Sequence, residues 1–123
     1  MGIYISLIYS IMDFSEAWRK ILDYARSHKY VITLVKGIRN DIVCADDDEI
    51  KVVSHEPKSE PTLRPLKREY FEMVWNILES RGSVSSDDID PALRGRRLII
   101  LALMAWALNL RYTTRPVRIC IRS

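Results

Sequence analysis

The run from Leu98 to Leu108 is eleven consecutive apolar residues, and Arg94, Arg96 and Arg97 stand immediately before it. A helix needs about 20 apolar residues to cross a bilayer, so this run is about half a membrane span and the chain is read as having no membrane segment. The run is also longer than most strands. As a helix it is apolar on every side, and such a helix is stable in water only when covered on every side. It must therefore be the central helix of a core or part of a subunit interface. The arginines are the unusual part, because cations at a helix N-terminus oppose its dipole. Two arrangements would relieve them: a bound anion, or neutralisation by the nearby Asp87, Asp88 and Asp90.

A chain of 123 residues is long enough for one such core and short for two. Its apolar fraction of 48% and charged fraction of 28% exclude a disordered polymer. Charge is unevenly spread: residues 1–90 carry twelve basic and sixteen acidic side chains, whereas residues 91–123 carry seven arginines and no acid. The thirteen arginines, three asparagines and absent glutamine point to a thermophilic source of archaeal type. Cys44 and Cys120 have neither a C-x-x-C partner nor a histidine at ligand spacing, which indicates neither zinc nor redox chemistry.

Residues 1–11 alternate apolar Ile3, Ile5, Leu7, Tyr9 and Ile11 with residues that include Ser6 and Ser10, the period of a strand. They lack the basic region and cleavage site of a signal peptide, and the chain is read as cytoplasmic. The strand is either appended to the fold or, if translation starts at Met12, not native. Asp13 followed by Glu16 opens a helix over 14–28, with Phe14, Ala17, Trp18, Ile21, Leu22 and Ala25 on one face. The segments YVITLV, DIVCA and EIKVVSH, divided by KGIRN and DDD, predict a three-stranded antiparallel meander. Three prolines place a loop at 55–65. A second helix is expected from Leu66 to Arg81, closed by Gly82. Asp90 and Pro91 are suited to open a third, running to about Asn109 unless Gly95 interrupts it. The expected architecture is a single α+β domain over 1–123, a small antiparallel sheet packed against about three helices with an apolar helix at the centre. The final strand, RPVRICIR, is expected to join that sheet.

Residues 70–89 read YFEMVWNILESRGSVSSDDI, a helix ending at Arg-Gly followed by a short segment that starts another helix. This resembles the opening of winged-helix DNA-binding domains, over about residues 66–122. The resemblance implies nucleic-acid binding, with a third helix presented to the major groove and a hairpin wing. The chain departs from that pattern in two ways. Its third helix has no polar face after Arg97, and only one C-terminal strand is expected where a wing needs two. Arg94, Arg96, Arg97, Arg115, Arg118 and Arg122 are then the candidate contacts, to phosphate rather than to base edges.

A second constellation, NDIVCADDDEIKVVSHE, resembles the core of restriction-type and junction-resolving nucleases. It offers Asp41 as the strand acid and Glu49 and Lys51 as the second half of the motif. That resemblance implies carboxylates converging on Mg²⁺. Here, however, Glu49 follows Asp41 by only eight residues and stands beside a turn. The acidic run Asp46 to Glu49 lacks the glycine and ligand spacing of a calcium loop and reads as a solvated turn. His28 and His55 have no nucleophile in an identifiable motif.

The sequence thus points to a non-catalytic binding module with DNA or RNA as partner. The alternatives are a protein-interaction subunit, such as a homodimer, and a metal-dependent nuclease. No metal site, cofactor or small-molecule ligand is indicated.

Overall fold

The computed structural model describes residues 12–121. The strand expected over 1–11, and Arg122, lie outside them. Helix α1 spans Phe14–Ser27, and the Asp13 carboxylate accepts a hydrogen bond from the Glu16 N–H at 2.9 Å, so the expected cap opens it. Its buried face is the expected one, Phe14, Ala17, Trp18, Ile21, Leu22 and Ala25.

Strands β1 (Tyr30–Ile32), β2 (Arg39–Ala45), β3 (Glu49–Ser54) and β4 (Thr62–Lys67) follow, forming an antiparallel sheet in chain order. The sequence predicts only three of them. β4 occupies the end of the expected loop and carries Pro65 opposite Lys51. Proline removes a backbone donor, and β4 can hold it because it is an edge strand. β2 likewise begins at Arg39, inside the expected KGIRN turn, and a bulge at Val43 lies between its pairs to Val52 and Lys51. The acidic run is a turn, with Asp46 Oδ1 accepting from the N–H groups of Asp48 and Glu49.

Helix α2, Arg68–Arg81, continues directly from β4, and the Gly82 N–H closes it on the Leu78 carbonyl in the left-handed conformation. Then come β5 (Ser83–Ser85), two single 3₁₀ turns at Ser86–Asp88 and Pro91–Leu93, and α3 at Arg97–Ala107. The expected 91–109 helix is therefore broken. Asp90 and Pro91 open the short turn, and Gly95 then reverses the chain at φ +88°. The positive φ favours glycine at this position, and the Arg64 guanidinium lies against it in the space a Cβ would take.

The chain ends in a hairpin of β6 (Arg111–Thr114) and β7 (Val117–Cys120), which with β5 forms a separate three-stranded sheet in the order β5-β7-β6. Two strands thus stand where the sequence suggests one, and they do not join the first sheet. RYTT was missed because all four of its residues are exposed, leaving no apolar alternation to read.

At the centre lies α3, packed against α1, β1 and β7. Ile99 to Ala105 are seven consecutive buried residues, as the apolar run demands. Burying a large aliphatic side chain contributes about 1.5–3 kcal/mol, so this helix is a principal source of stability. Trp18 and Phe71 extend the core between α1 and α2, with ring centroids 5.2 Å apart. Among the described residues no helix is long and apolar enough to cross a membrane.

Candidate nucleic-acid interface and the start of the central helix

The predicted arginines divide into two kinds. Arg96 donates from Nε to the Pro65 carbonyl at 3.3 Å, Arg97 from Nη1 to the Ser86 carbonyl at 3.0 Å, and Arg118 from Nη1 to the Ser83 hydroxyl at 3.1 Å. These three are half-buried and tie α3 and β7 to their neighbours. Arg94 and Arg115 are exposed and enter no ion pair within 4 Å among the described residues.

These arginines gather at one end of the molecule. Arg97 reaches Ser86, Ser85 pairs with Arg118 across β5 and β7, and Arg118 is three residues from the hairpin turn at Arg115. The β6–β7 turn therefore lies toward the end at which α3 starts. Arg64, which no sequence signal singled out, joins the group by lying against Gly95. From residue 91 to residue 121 there are six arginines and no acid.

The nearby aspartates do not neutralise the start of α3. Asp88 accepts from the Ser85 N–H at 2.9 Å and lies 3.6 Å from Arg81. The Ser85 N–H is the main cause holding its carboxyl below the usual range, with lesser help from the Ser85 hydroxyl, Arg81 and Arg118 against the effect of desolvation. Asp90 accepts from the Ala92 N–H within its own 3₁₀ turn. Among the described residues no ion pair within 4 Å joins Asp87, Asp88 or Asp90 to Arg94, Arg96 or Arg97.

Helix α3 also begins uncapped. Its first intrahelical bond is from the Ile100 N–H to the Arg96 carbonyl, no side chain caps the helix, and among the described residues the N–H groups of Arg97, Leu98 and Ile99 meet no acceptor. A pocket of about 180 Å³ opens beside this turn, between α3 and the β1–β3 end of the large sheet. Buried Asn40 and Ser54 line it, as do Arg97 and Lys36. The inner face of that sheet is graded along its length. Ile50 and Leu66 make an apolar row at one end, and Asn40 paired with Ser54 makes a polar row at the other. Among the described residues the Asn40 Oδ1 and the Ser54 hydroxyl have no hydrogen-bond partner, nor has the buried Nε of Arg64.

The nuclease-like trio is not brought together. Asp41 lies opposite Val53 while Glu49 lies four residues along β3 opposite Lys67, about 13 Å away at the rise of a strand. Glu49 pairs with Lys51 at 3.4 Å. Asp41 instead holds Arg39 and His55, each at 2.7 Å, and their hydrogen bonds, Arg39 first, lower its carboxyl pKa. Among the described residues no group of three or more His, Cys, Asp and Glu side chains is placed to hold a metal ion.

Comparison with protein-family models, with curated proteins and with solved structures finds no match for this chain.

Proposed function

We propose that the chain is a non-catalytic nucleic-acid-binding module that grips the phosphate backbone through the arginine-rich end of α3 and the hairpin wing. The observation that carries this reading is the exposure of Arg94 and Arg115, without ion pairs among the described residues, on a segment that contains no acid. Side chains in that state are free to replace the counterions of a phosphate backbone. The path from α2 through β5, the 3₁₀ turns and α3 to a two-stranded hairpin supports the winged-helix comparison, and β6–β7 supplies a wing.

The binding mode must nevertheless differ from that of a helix placed in the major groove. In this chain α3 is covered by α1, β1 and β7, so its side chains do not reach base edges. Binding is then nearly independent of sequence.

Fluorescence anisotropy with labelled duplexes of unrelated sequence, and with RNA, tests this at about 50 mM salt. Wild-type protein binds all of them similarly, and Arg94→Gln combined with Arg115→Gln weakens them equally without changing Tm. Lack of binding at that salt concentration would overturn the reading. A protein-interaction role would then lead, supported by the exposed apolar residues Tyr30, Val43 and Leu63 on the large sheet. Concentration-dependent sedimentation as a homodimer is the outcome expected of that second reading.

A further inference from the structure

The pocket at the start of α3 is chemically unlike the arginine surface, and its features are independent of nucleic-acid binding. Asn40 is fully buried and Ser54 is 3% exposed, yet the Asn40 Oδ1 and the Ser54 Oγ have no partner. The orientation of Asn40 is set, because its Nδ2 donates to the Ile38 carbonyl at 3.2 Å and leaves Oδ1 as an acceptor. Leaving a buried polar group unpaired costs about 1–3 kcal/mol. Two such groups on neighbouring strands line the same pocket as an uncapped helix N-terminus.

The pocket lining carries groups of both electrostatic signs. The open N–H groups at the start of the eleven-residue α3, Arg97 and Lys36 favour an anion. The Asn40 Oδ1 and the Glu56 carboxylate need a hydrogen-bond donor and favour a cation. The Ser54 hydroxyl serves either. Inorganic phosphate carries no cationic group for Asn40 and would be repelled by the Glu56 carboxylate. Ile38, Leu98 and Ile99 add an apolar wall. One water needs roughly 15 Å³ of cavity, so about 180 Å³ admits a small molecule of up to about twelve heavy atoms.

We infer that this pocket binds a small zwitterion of the α-amino-acid class, with the carboxylate at the α3 N-terminus and the ammonium at Asn40 and Glu56. The unpartnered polar atoms are then parts of a recognition site rather than defects in the core.

Nitrogen–proton correlation spectra of the whole chain, titrated with L-alanine, L-serine and L-leucine, provide the test. Acetate, methylammonium and inorganic phosphate serve as half-ligand controls. The amino acids shift the amides of Leu98 and Ile99 and the Asn40 side-chain amide, saturating below about 10 mM. Acetate and methylammonium bind at least about tenfold more weakly, since each makes only half the contacts. Ser54→Ala weakens the amino acids about tenfold through loss of one buried hydrogen bond, while its Tm holds or rises because the unbound protein loses an unpaired group. Three results would overturn the inference: no shift at these amides with any amino acid, shifts from phosphate or acetate as strong as those from the zwitterions, or unchanged binding by Ser54→Ala.

Discussion

The two ends of α3 are finished in opposite ways. At the C-terminal end the protein closes itself. Asn109 turns left-handed at φ 53°, and the Leu108 and Leu110 N–H groups return to the carbonyls of Met104 and Ala105. Trp106 donates to the Ile32 carbonyl at 3.2 Å and takes the edge of Tyr112, with centroids 5.8 Å apart. At the N-terminal end there is no cap, arginines stand where acids would suit the dipole, and the pocket beside them keeps two buried polar atoms unpaired. Both ends belong to one helix and share one apolar core. The difference therefore teaches that the chain has the means to close a helix and does so only at one end.

The largest expected effect comes from the core that both ends share. Leu101 is fully buried, so Leu101→Ala should lower unfolding free energy by about 2–5 kcal/mol, read from urea denaturation. A loss under 1 kcal/mol would show that α3 is not the centre of the core, and the contrast between its ends would lose its basis.

Trp106 tests the closed end. It is 41% exposed, so Trp106→Ala should cost less than a fully buried tryptophan, about 1–3 kcal/mol, while leaving nucleic-acid affinity unchanged. Loss of affinity in this variant, with the fold intact, would move the binding surface to the wrong end of the helix.

A smaller effect concerns acid near the open end. The carboxyls of Asp88, Asp41 and Asp46 all have folded-state pKa values below the ordinary 3.8. Such groups bind protons more readily in the unfolded chain. Their stabilisation is present above about pH 4 and is lost as pH falls through the depressed folded values. Tm should therefore fall as the pH drops below about 4. Asp88→Asn should cost about 1 kcal/mol at pH 7 through its bonds to Ser85, and should flatten the acid limb. An unchanged acid limb would show that Asp88 does not hold the 3₁₀ turn in place.

Much of this contrast was legible in the sequence, but not all of it. The apolar run identified the central helix because eleven uninterrupted apolar residues have no other stable placement in water. The caps at Asp13 and Gly82 were readable for a similar reason, since each acts within a few residues of the chain. β4 and β6 were not. One carries a proline tolerated only because its neighbours leave it at an edge, and the other is exposed throughout. The site was half-legible: charge counting found Arg94 and Arg115, while Arg96, Arg97 and Arg118 looked the same in sequence yet bind protein oxygens. Asn40 reads as a turn residue beside Gly37, and only the pairing of β2 with β3 places it next to Ser54. Arg64 reads as part of a loop and meets Gly95 only through tertiary folding.

The proposal that exposed Arg94, before α3, and Arg115, at the hairpin turn, grip phosphates is tested most directly by the salt dependence of duplex binding. The logarithm of the binding constant, followed against the logarithm of salt concentration, falls by about 0.9 for every phosphate contact. Wild-type protein should show a steep negative slope, and Arg94→Gln with Arg115→Gln should make it shallower by about two units at unchanged Tm. Equal slopes for the two proteins, or a wild-type affinity indifferent to salt, would contradict the account.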